Sequence, residues 1–433
     1  MTFDSLGLSK HLLQAIKEQG YEKPTPIQSQ AIPVILDKKD ILAGAQTGTG
    51  KTAGFTLPML ELLSRAKPTK QKHQIKALIL TPTRELAAQV HESVELYGKH
   101  LPFKSSVIFG GVKINPQITK LRKGVDIVIA TPGRLLDHIG QKTIDLRHVD
   151  FLILDEADRM LDMGFVKEIR ATHPLLPKKH QTLLFSATYS DKVRKLSKLI
   201  LRSPQFIETA KKNTTVDTIN QIAYRVDTDR KAALCAYIIG SRNFRQVLVF
   251  TKTKKSADEL VIELKKDGLK CGVIHGDKTQ ANRTKTLAQF KDGDFRVLVA
   301  TDIASRGLDI EHLPYVINYE LPGIPEDYVH RVGRTGRAGR EGEAISLIDI
   351  YEKYDLKEIE RLIGQKIEQD VVEGFEPDPK IRRKDVDDIK MKSEHKKPTG
   401  KKERKYNKNT SNVPVTKKQM KVTKKKRKTT KRD

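Results

Sequence analysis

A run of residues from 44 to 52, Gly-Ala-Gln-Thr-Gly-Thr-Gly-Lys-Thr, has the residue types needed to bind phosphate. It follows a short apolar stretch and matches the relaxed P-loop pattern, with Ala45 at the first glycine position. The glycines let main-chain N–H groups turn inward around phosphate oxygens, and the N-terminus of the following helix adds positive potential. We therefore predict a nucleotide site in which Lys51 reaches the β- and γ-phosphates and Thr52 binds Mg²⁺. A glycine-rich strand–helix turn with a surface lysine is the alternative.

A second chemical segment, Asp155-Glu156-Ala157-Asp158, follows the apolar residues 151–154. An apolar strand that ends in two carboxylates is typical of the Mg²⁺ site beside a P-loop. We expect Asp155 to face the metal through water and Glu156 to orient or deprotonate the attacking water. An acidic helix N-terminus is the alternative, since carboxylates are favourable there. Together with Lys51, these residues are the catalytic candidates of the first half of the chain.

Elements that could position these groups recur in two series. Short apolar runs at 77–80, 125–130, 151–154 and 182–185 are separated by helical stretches, and a second series lies at 247–250, 272–275, 297–301 and 316–319. Runs of this length are typical of strands buried on both faces of a parallel sheet. The pattern predicts an α/β protein with two parallel-sheet domains in tandem. A crevice between such domains is a natural ligand site.

Charge is concentrated at the C-terminal end of the chain. The formal net charge is +27, and residues 379–433 hold 23 lysines and arginines against 6 aspartates and glutamates. This segment has too few large apolar residues to offset its ordering entropy, so we predict a basic, disordered tail. Two cysteines without metal-ligand spacing indicate a reducing compartment. Without an N-terminal signal pattern or a membrane-length apolar stretch, we expect a soluble, cytoplasmic protein.

The tetrapeptide Asp-Glu-Ala-Asp and the P-loop together resemble the DEAD-box family of RNA helicases. The resemblance covers about residues 1–365 and implies two RecA-like domains. We place the first domain at 1–207, a linker at 208–216, the second domain at 217–365 and the basic tail at 366–433. The short N-terminus and the basic tail are most like the bacterial RhlE type.

The resemblance implies further contacts with ATP. Residues 20–28, Gly-Tyr-Glu-Lys-Pro-Thr-Pro-Ile-Gln, resemble the adenine-reading Q motif, with Phe3 as its upstream aromatic residue. Gln28 offers a donor and an acceptor to adenine, and Tyr21 can stack on the ring. The same segment also fits a helix N-terminus capped by Thr25, and both interpretations can hold. By resemblance, Asp309 reaches the ATP ribose.

The resemblance also implies a surface that grips the sugar–phosphate backbone of one RNA strand. Small hydroxyls, exposed N–H groups and guanidinium groups suit that task because they bind phosphate without reading sequence. The implied RNA contacts are Pro82, Thr83, Arg84, Gly110, Gly111, Thr131, Pro132, Gly133, Arg134, Gln280, Arg283, Thr301 and Asp302. Most of these short motifs would be ordinary turns if each occurred alone.

Coupling residues and arginine fingers complete the implied machinery. Ser186-Ala187-Thr188 resembles motif III, which links ATP hydrolysis to strand separation, and His330 belongs to the same coupling group. Arg334 and Arg337 in residues 330–337 resemble the fingers that neutralise charge on the γ-phosphate. An arginine in this role can be worth roughly 10³–10⁵ in rate.

The implied function is that of an ATP-dependent RNA helicase, which unwinds short duplexes locally or remodels RNA–protein complexes with ATP and Mg²⁺. Structured RNA is the expected partner, with ribosomal precursors or RNA-decay complexes as possible settings for a monomeric enzyme. A DNA translocase is one alternative, against which Asp158 and Gln28 argue. An ATP-gated RNA clamp uses the same residues and stays open. The tail is expected to tether RNA, with a solubilising or nuclear-localisation role as its alternative.

Overall fold

The computed structural model describes residues 1–45, 49–66, 74–208, 219–305, 310, 313–336 and 342–378. The strands are β1 (Ile41–Gly44), β2 (Ala77–Leu80), β3 (Ser105–Ile108), β4 (Ile127–Ala130), β5 (Phe151–Leu154), β6 (Gln181–Ser186), β7 (Gln205–Glu208), β8 (Ile219–Arg225), β9 (Val247–Thr251), β10 (Cys271–Ile274), β11 (Val297–Thr301), β12 (Tyr315–Asn318), β13 (Gly342–Ile348) and β14 (Glu368–Asp370).

The α-helices are α1 (Lys10–Glu18), α2 (Pro26–Leu36), α3 (Lys51–Arg65), α4 (Arg84–Tyr97), α5 (Asn115–Arg122), α6 (Pro132–Gly140), α7 (Ala157–Asp162), α8 (Val166–Thr172), α9 (Asp191–Ile200), α10 (Lys231–Ser241), α11 (Lys254–Lys266), α12 (Gln280–Lys291), α13 (Asp302–Ser305), α14 (Pro325–Val332) and α15 (Lys353–Ile363). Short 3₁₀ helices lie at Phe3–Leu6, His173–Leu175, Thr228–Arg230 and Ile350–Glu352.

Two sheets repeat one topology. Among the described residues, the first sheet has the order β3-β4-β2-β5-β6-β1-β7 and the second has the order β10-β11-β9-β12-β13-β8-β14. Adding seven to each strand number of the first sheet gives the second, and the strand pairs are parallel in both. The predicted apolar runs all overlap strands of these sheets. The expected pair of parallel-sheet domains is therefore confirmed.

Apolar side chains cover both faces of each sheet. Alternate residues of the first sheet face two separate cores; Ile153 of β5 belongs to one core and Leu152 to the other. In the second sheet Val249 and Leu248 of β9 divide in the same way. Burial on both faces explains why these strands read as continuous apolar runs rather than as alternating patterns.

The second sheet extends beyond residue 365, where the sequence analysis placed the start of the tail. Ile367 is buried, and β14 then pairs with β8 at the edge of the sheet. Phe375 packs against the ring of Tyr237, and the Arg230 guanidinium lies 5.0 Å from the Phe375 ring centre. These apolar and cation–π contacts hold residues 367–378 on the domain, so the tail boundary moves towards the C-terminus. Residues 379–433 lie outside the described part of the chain.

The parallel strands of the first sheet bring the residues expected to bind nucleotide to the same edge of the sheet. In the first sheet, the P-loop follows β1, the Asp155 segment follows β5, and Ser186 ends β6. These three strands are neighbours, so their carboxyl ends lie side by side, where open α/β sheets bind ligands. No helix in the described residues is both long and apolar enough to cross a bilayer.

Candidate functional site

The P-loop begins at the end of β1 and leads into α3 at Lys51. The Ala45 N–H donates to the Ser186 carbonyl over 3.0 Å, which ties the start of the loop to β6. Gly50 has a φ of +89°, and an added Cβ would lie 2.5 Å from Nε2 of Gln28. The left-handed backbone conformation therefore favours glycine here, and a larger residue would also displace the Gln28 amide. Thr49 and Thr52 are partly buried, whereas Gln46, Thr47 and Gly48 lie outside the described residues.

Lys51 and Asp155 form the centre of the site. Their exposed fractions are 6% and 2%, yet neither Lys51 Nζ nor Asp155 Oδ1 has a hydrogen-bond partner among the described residues. Buried charged groups are normally paired or bound to metal, because an unpaired buried charge is costly. The two orphaned atoms therefore fit a ligand that accepts from an ammonium group and a hydrated cation that a carboxylate can bind. A Mg²⁺–phosphate unit has that chemistry.

Burial also perturbs the protonation of Asp155. Loss of solvent raises the pKa of this carboxyl to about 6, with the positive charge of Lys51 acting in the opposite direction. The neighbouring carboxylates Glu156 and Asp158 raise the pKa further, while the Glu156 main-chain N–H lowers it. The protein thus holds Asp155 in an environment that disfavours its own charge. A bound cation would reverse that balance.

Glu156 has an unusual backbone conformation. Its φ and ψ are both 53°, in the left-handed region, and only 7% of the residue is exposed. Non-glycine residues in this region carry a strain on the order of 1 kcal/mol and occur often at functional sites. Glu156 directly precedes α7 and does not share the helical backbone conformation of the residues that follow. Its side chain therefore takes a direction that a helical residue at this position would not have.

Asp158 connects the Asp155 segment to residues 186–188, a role that the sequence analysis did not assign. Its Oδ2 accepts from the main-chain N–H groups of Ala187 at 3.1 Å and Thr188 at 2.9 Å. The Ser186 hydroxyl donates to the Thr188 carbonyl at 2.7 Å. These bonds join the ends of β5 and β6 in one network. In the sequence, Asp158 is visible only as the fourth residue of the tetrapeptide, which does not reveal its main-chain partners.

Gln28 binds the protein at both ends of its amide. Oε1 accepts from the Thr25 N–H at 2.9 Å, and Nε2 donates to the Gly50 carbonyl at 3.1 Å. The structure therefore gives Gln28 a contact with the P-loop that the adenine-reading expectation did not include. Thr25 is the N-cap residue of α2, but its hydroxyl has no hydrogen-bond partner among the described residues, so Gln28 rather than the Thr25 side chain supplies the capping bond.

The two aromatic residues expected near ATP lie in different environments. Phe3 is 5% exposed and belongs to the apolar core of the first domain, so its placement is that of a core residue. Tyr21 is half exposed. Its hydroxyl lies close enough to Tyr97 for hydrogen bonding, and burial together with this contact raises the pKa of Tyr97. The expected contact of Phe3 with the nucleotide stays a prediction.

Several of the residues expected to bind RNA on the first domain are held in place by contacts within their loops. The Thr83 hydroxyl caps α4 by accepting from Leu86 N at 3.2 Å. The Arg84 guanidinium lies directly against the position where Gly111 would carry a Cβ. Arg134 donates from Nη2 to the Val112 carbonyl at 2.9 Å, while its Nη1 is buried without a hydrogen-bond partner among the described residues. The remaining expected contacts on this domain, at the ends of β2, β3 and β4 or at the start of α6, are Pro82, Gly110, Thr131, Pro132 and Gly133.

The expected RNA contacts on α12 bind the first domain. Gln280 Nε2 donates to Glu85 Oε1 at 3.0 Å, and Arg283 Nη2 lies 2.9 Å from the same oxygen. Arg283 also donates to the Ala304 carbonyl at 3.1 Å. Glu85 is therefore a site residue that the sequence analysis missed. Its partners lie 195 and 198 positions away, and no local pattern connects residues at that distance.

Asp302 binds an arginine in this structure. Arg331 donates from Nε to Asp302 Oδ1 at 2.6 Å and from Nη2 to Oδ2 at 2.7 Å. Arg331 Nη1 also donates to Asn318 and to the Glu320 carbonyl. This bidentate pairing occupies both carboxylate oxygens of Asp302, and the expected RNA contact of this residue stays a prediction. Thr301 is buried at the end of β11.

Helix α14 and the residues that follow it carry the coupling and finger residues expected on the second domain. His330 is partly buried on this helix, and Arg334 follows it with 7% of its surface exposed. Asp327, at the start of α14, forms an ion pair with Arg159 of the first domain. The two domains therefore touch on the side that holds Asp158. Arg337 and Asp309 lie outside the described residues.

Two family models match the chain. The model described as "DEAD/DEAH box helicase" matches residues 25–196, and "Helicase conserved C-terminal domain" matches residues 229–339. The first match contains the P-loop and Asp155 segments. The second ends within the segment that carries Arg334. Each model therefore falls on one of the two sheets.

Bacterial relatives align with most of the chain. The DEAD-box ATP-dependent RNA helicase CshA of Bacillus cereus is 44% identical over 368 residues, which cover 85% of this chain and 69% of the relative. CshA of Bacillus subtilis is 42% identical over 369 residues, covering 85% of this chain and 74% of the relative. The aligned length is close to that of the two domains together.

Solved structures share the fold. S. cerevisiae Dbp5 bound to RNA and ADP BeF3 matches with a TM-score of 0.77 and 33% identity, over 91% of this chain and 99% of that one. Mss116p bound to ssRNA and AMP-PNP matches with a TM-score of 0.78 and 32% identity, over 86% of this chain and 80% of that one. These similarities identify both sheets as RecA-like domains. The chain belongs to the DEAD-box family of ATP-dependent RNA helicases.

Proposed function

We propose that this enzyme hydrolyses ATP in response to RNA and uses the cycle to separate short duplexes or remodel RNA–protein complexes. The observation that carries the proposal is the buried, hydrogen-bond-free pair of Lys51 Nζ and Asp155 Oδ1 beside Glu156. The relatives support it: CshA is named an ATP-dependent RNA helicase, and Dbp5 was solved with RNA and ADP BeF3.

For the nucleotide, we assign phosphate binding to the P-loop. Lys51 would neutralise the β- and γ-phosphates, while Thr52 and Asp155 would hold Mg²⁺, with water between the metal and the carboxylate. The cation supplies charge stabilisation for the transferring phosphoryl group when bound. In this assignment Gln28, Tyr21 and, through the fold of the N-terminus, Phe3 shape the base pocket. The remaining nucleotide contacts are Ala45, Gln46, Thr47, Gly48, Thr49, Gly50 and Asp309.

For hydrolysis, the catalytic groups are divided between domains. Glu156 would orient the attacking water and accept its proton, and the strained turn at this residue supports such a dedicated side-chain direction. Arg334 and Arg337 would approach the γ-phosphate from the second domain. Neither domain alone holds the complete set, so hydrolysis should depend on domain contact.

For RNA, we assign binding of the sugar–phosphate backbone to the loops that follow β2, β3 and β4, together with α12 and the end of β11. Arg84 and Arg134 are the cations of the first domain in this set, and Arg283 is the cation of the second. Arg283 and Gln280 already bind Glu85, so their role in RNA binding would include ordering the two domains as well as touching phosphate. Thr301 and main-chain groups near Asp302 complete the surface.

Coupling between the two ligands follows from this division. ATP and RNA each contact both domains in the proposal, so each favours closure and the binding of the other. We infer that closure bends one strand away from continuous A-form geometry and releases its partner. Phosphate loss then reopens the domains. The hydrogen bonds from Ala187 and Thr188 to Asp158 offer a direct link between the hydrolysis site and the coupling motif.

The domain limits and the tail belong to the same proposal. We extend the first domain, expected at 1–207, to Glu208 at the end of β7, keep the rest of the linker and a second domain that starts at 217, and extend that domain past 365 to include β14. Residues 379–433 would tether RNA through phosphate contacts, since their basic residues far outnumber the acidic ones.

The finer biological assignment is also proposed. The flanking segments favour an RhlE-type enzyme, whereas the relatives above carry the name CshA. We place the protein in the cytoplasm as a monomer that acts on structured RNA, with ribosomal precursors or RNA-decay complexes as settings.

Wild-type protein and Glu156→Gln should be compared for release of a labelled strand from a short RNA duplex. Release by wild type alone supports the proposal; ATP-dependent retention without release supports the clamp.

A further inference from the structure

Arg159 and Asp327 form a buried ion pair between the two domains. The residues are 168 positions apart in the chain, and Arg159 Nη1 binds Asp327 Oδ1 directly. Their side chains are only 4% and 8% exposed. The next acidic group near Arg159 is Asp162, whose Oδ2 lies 3.9 Å from Nη1. Asp327 is therefore the main partner of this guanidinium.

On the first domain, Arg159 adjoins the hydrolysis site. Its main-chain N–H donates to Asp158 Oδ1 at 3.0 Å, and the other oxygen of Asp158 accepts from Ala187 and Thr188. A displacement of Arg159 would therefore be transmitted to the residues that follow β5 and β6. The Arg159 side chain is therefore connected to Asp158, Ala187 and Thr188 through the Arg159 main chain.

On the second domain, Asp327 lies in the first turn of α14. His330 and Arg331 follow one turn later, and Arg334 lies just beyond the end of the helix. Arg331 anchors α14 within its domain through Asp302, Asn318 and the Glu320 carbonyl. Because α14 is fixed in this way, a contact at Asp327 sets the position of the whole helix relative to the first domain.

The energetics of this pair depend on domain separation. Buried ion pairs gain little over well-packed apolar groups, but loss of one partner leaves an uncompensated buried charge, which is strongly unfavourable. When the domains are apart, water solvates both groups and that cost disappears. The pair therefore acts on the equilibrium between separated and closed domains rather than on the folding of either domain.

We propose that Arg159 and Asp327 are positioning residues that latch the domains closed and align the arginine-bearing end of α14 with the Glu156 site. The pair touches no reacting atom and acts by orienting Arg334 and by joining α14 to Asp158. This inference rests on the proposed RNA-dependent ATPase for its kinetic consequences. Its geometric basis, an ion pair that exists only when the domains meet, is independent of that function.

A charge swap separates the latch from a structural role. The variants are Arg159→Asp, Asp327→Arg and the double variant, in which attraction is restored with the signs exchanged. The matched control is Lys231→Met. Lys231 is 2% exposed and binds Glu352 within the second domain, with Asp349 at 3.2 Å. Loss of this cation should destabilise a single domain and leave closure alone.

Two readouts are required. The first is the RNA concentration that gives half-maximal ATP hydrolysis, with the thermal midpoint of the unliganded protein measured alongside. The second is energy transfer between dyes on cysteines introduced at Arg147 of the first domain and Tyr354 of the second, with and without AMP-PNP and RNA. Both positions are highly exposed, whereas the native cysteines are buried.

The latch predicts that each single swap raises the half-maximal RNA concentration about 10- to 100-fold and reduces ligand-induced energy transfer, while the unliganded midpoint changes little. That range corresponds to about 1.4–2.8 kcal/mol. The double variant should recover to within a few-fold, and Lys231→Met should lower the midpoint only. Unchanged closure in the single variants would overturn the latch, as would failure of the double variant to recover. If wild type shows no RNA-stimulated hydrolysis, the proposed function fails, and energy transfer still decides the latch.

Discussion

Replacement of Asp155 by asparagine should stabilise the protein in the absence of nucleotide, although it removes an expected metal ligand. Burial raises the pKa of this carboxyl from 3.8 to about 6 even with Lys51 nearby, so the net environment disfavours the ionised form. One pKa unit corresponds to 1.36 kcal/mol. A shift of about two units therefore costs the folded state about 3 kcal/mol at neutral pH, as an upper value, and asparagine avoids that cost.

The pH dependence has a definite sign. The unfolded chain releases the Asp155 proton near pH 4, whereas the folded protein holds it until about pH 6. The contribution of this group to stability is present below pH 4 and is lost as the pH rises through 6. Asp155→Asn should therefore melt at about the same temperature as wild type near pH 4. At pH 7.5 it should melt higher, by about 6–12 °C at most for a domain of this size.

Thermal unfolding followed by circular dichroism across pH 4–8, without nucleotide or Mg²⁺, measures this effect. Asp37→Asn is a matched control because that side chain lies on the same domain and is 68% exposed. Addition of ATP and Mg²⁺ should raise the wild-type midpoint and leave the variant nearly unchanged. A variant that is less stable than wild type at pH 7.5, or a pH-independent difference, would refute the account of Asp155 as a carboxylate held ready for a cation.

Two further predictions concern the base pocket and the tail. Gln28→Ala removes the hydrogen bonds to Thr25 and Gly50, so the KM for ATP should rise about tenfold, the equivalent of one or two hydrogen bonds. The exposed residue Gln14 is the control, and Gln14→Ala should leave the KM unchanged. An unaltered KM in Gln28→Ala would show that neither bond shapes the pocket. Deletion of residues 379–433 should weaken RNA binding and flatten its dependence on salt, measured by fluorescence anisotropy at several salt concentrations. Equal affinity and equal salt slope for the shortened and full chains would contradict tethering.

The chemical segments and their strands could be predicted because their signals are local. The P-loop and the Asp155 segment are contiguous in the chain, and each follows an apolar run that the parallel sheet buries on both faces. Parallel topology then brings the ends of β1, β5 and β6 together. The order of these strands could not be predicted from the sequence. Once the order is known, the proximity of Lys51 to Asp155 follows.

Contacts between the domains could not be predicted in the same way. Glu85 reads as an ordinary helix residue near the start of α4, yet it binds Gln280 and Arg283 from the other domain. Asp327 similarly follows a proline at a helix start and pairs with Arg159. Such pairs depend on how two separately folded sheets meet. Periodicity and residue spacing carry no information about that arrangement.

The surroundings of side chains with two possible uses could not be predicted either. Phe3 could contact the nucleotide or fill a core, and in the structure it is buried in the apolar core of the first domain. Asp302 could face RNA or an arginine, and Arg331 satisfies both of its oxygens. The neighbours that decide such cases come from distant parts of the chain.

RNA should control ATP hydrolysis at the site formed by Lys51, Asp155 and Glu156. We would measure hydrolysis by the purified protein with no nucleic acid, with RNA and with DNA of matching sequence, alongside Glu156→Gln. We expect stimulation by RNA alone and its loss in Glu156→Gln, which should still bind RNA in the presence of ATP. Equal stimulation by RNA and DNA, or full activity in Glu156→Gln, would contradict it.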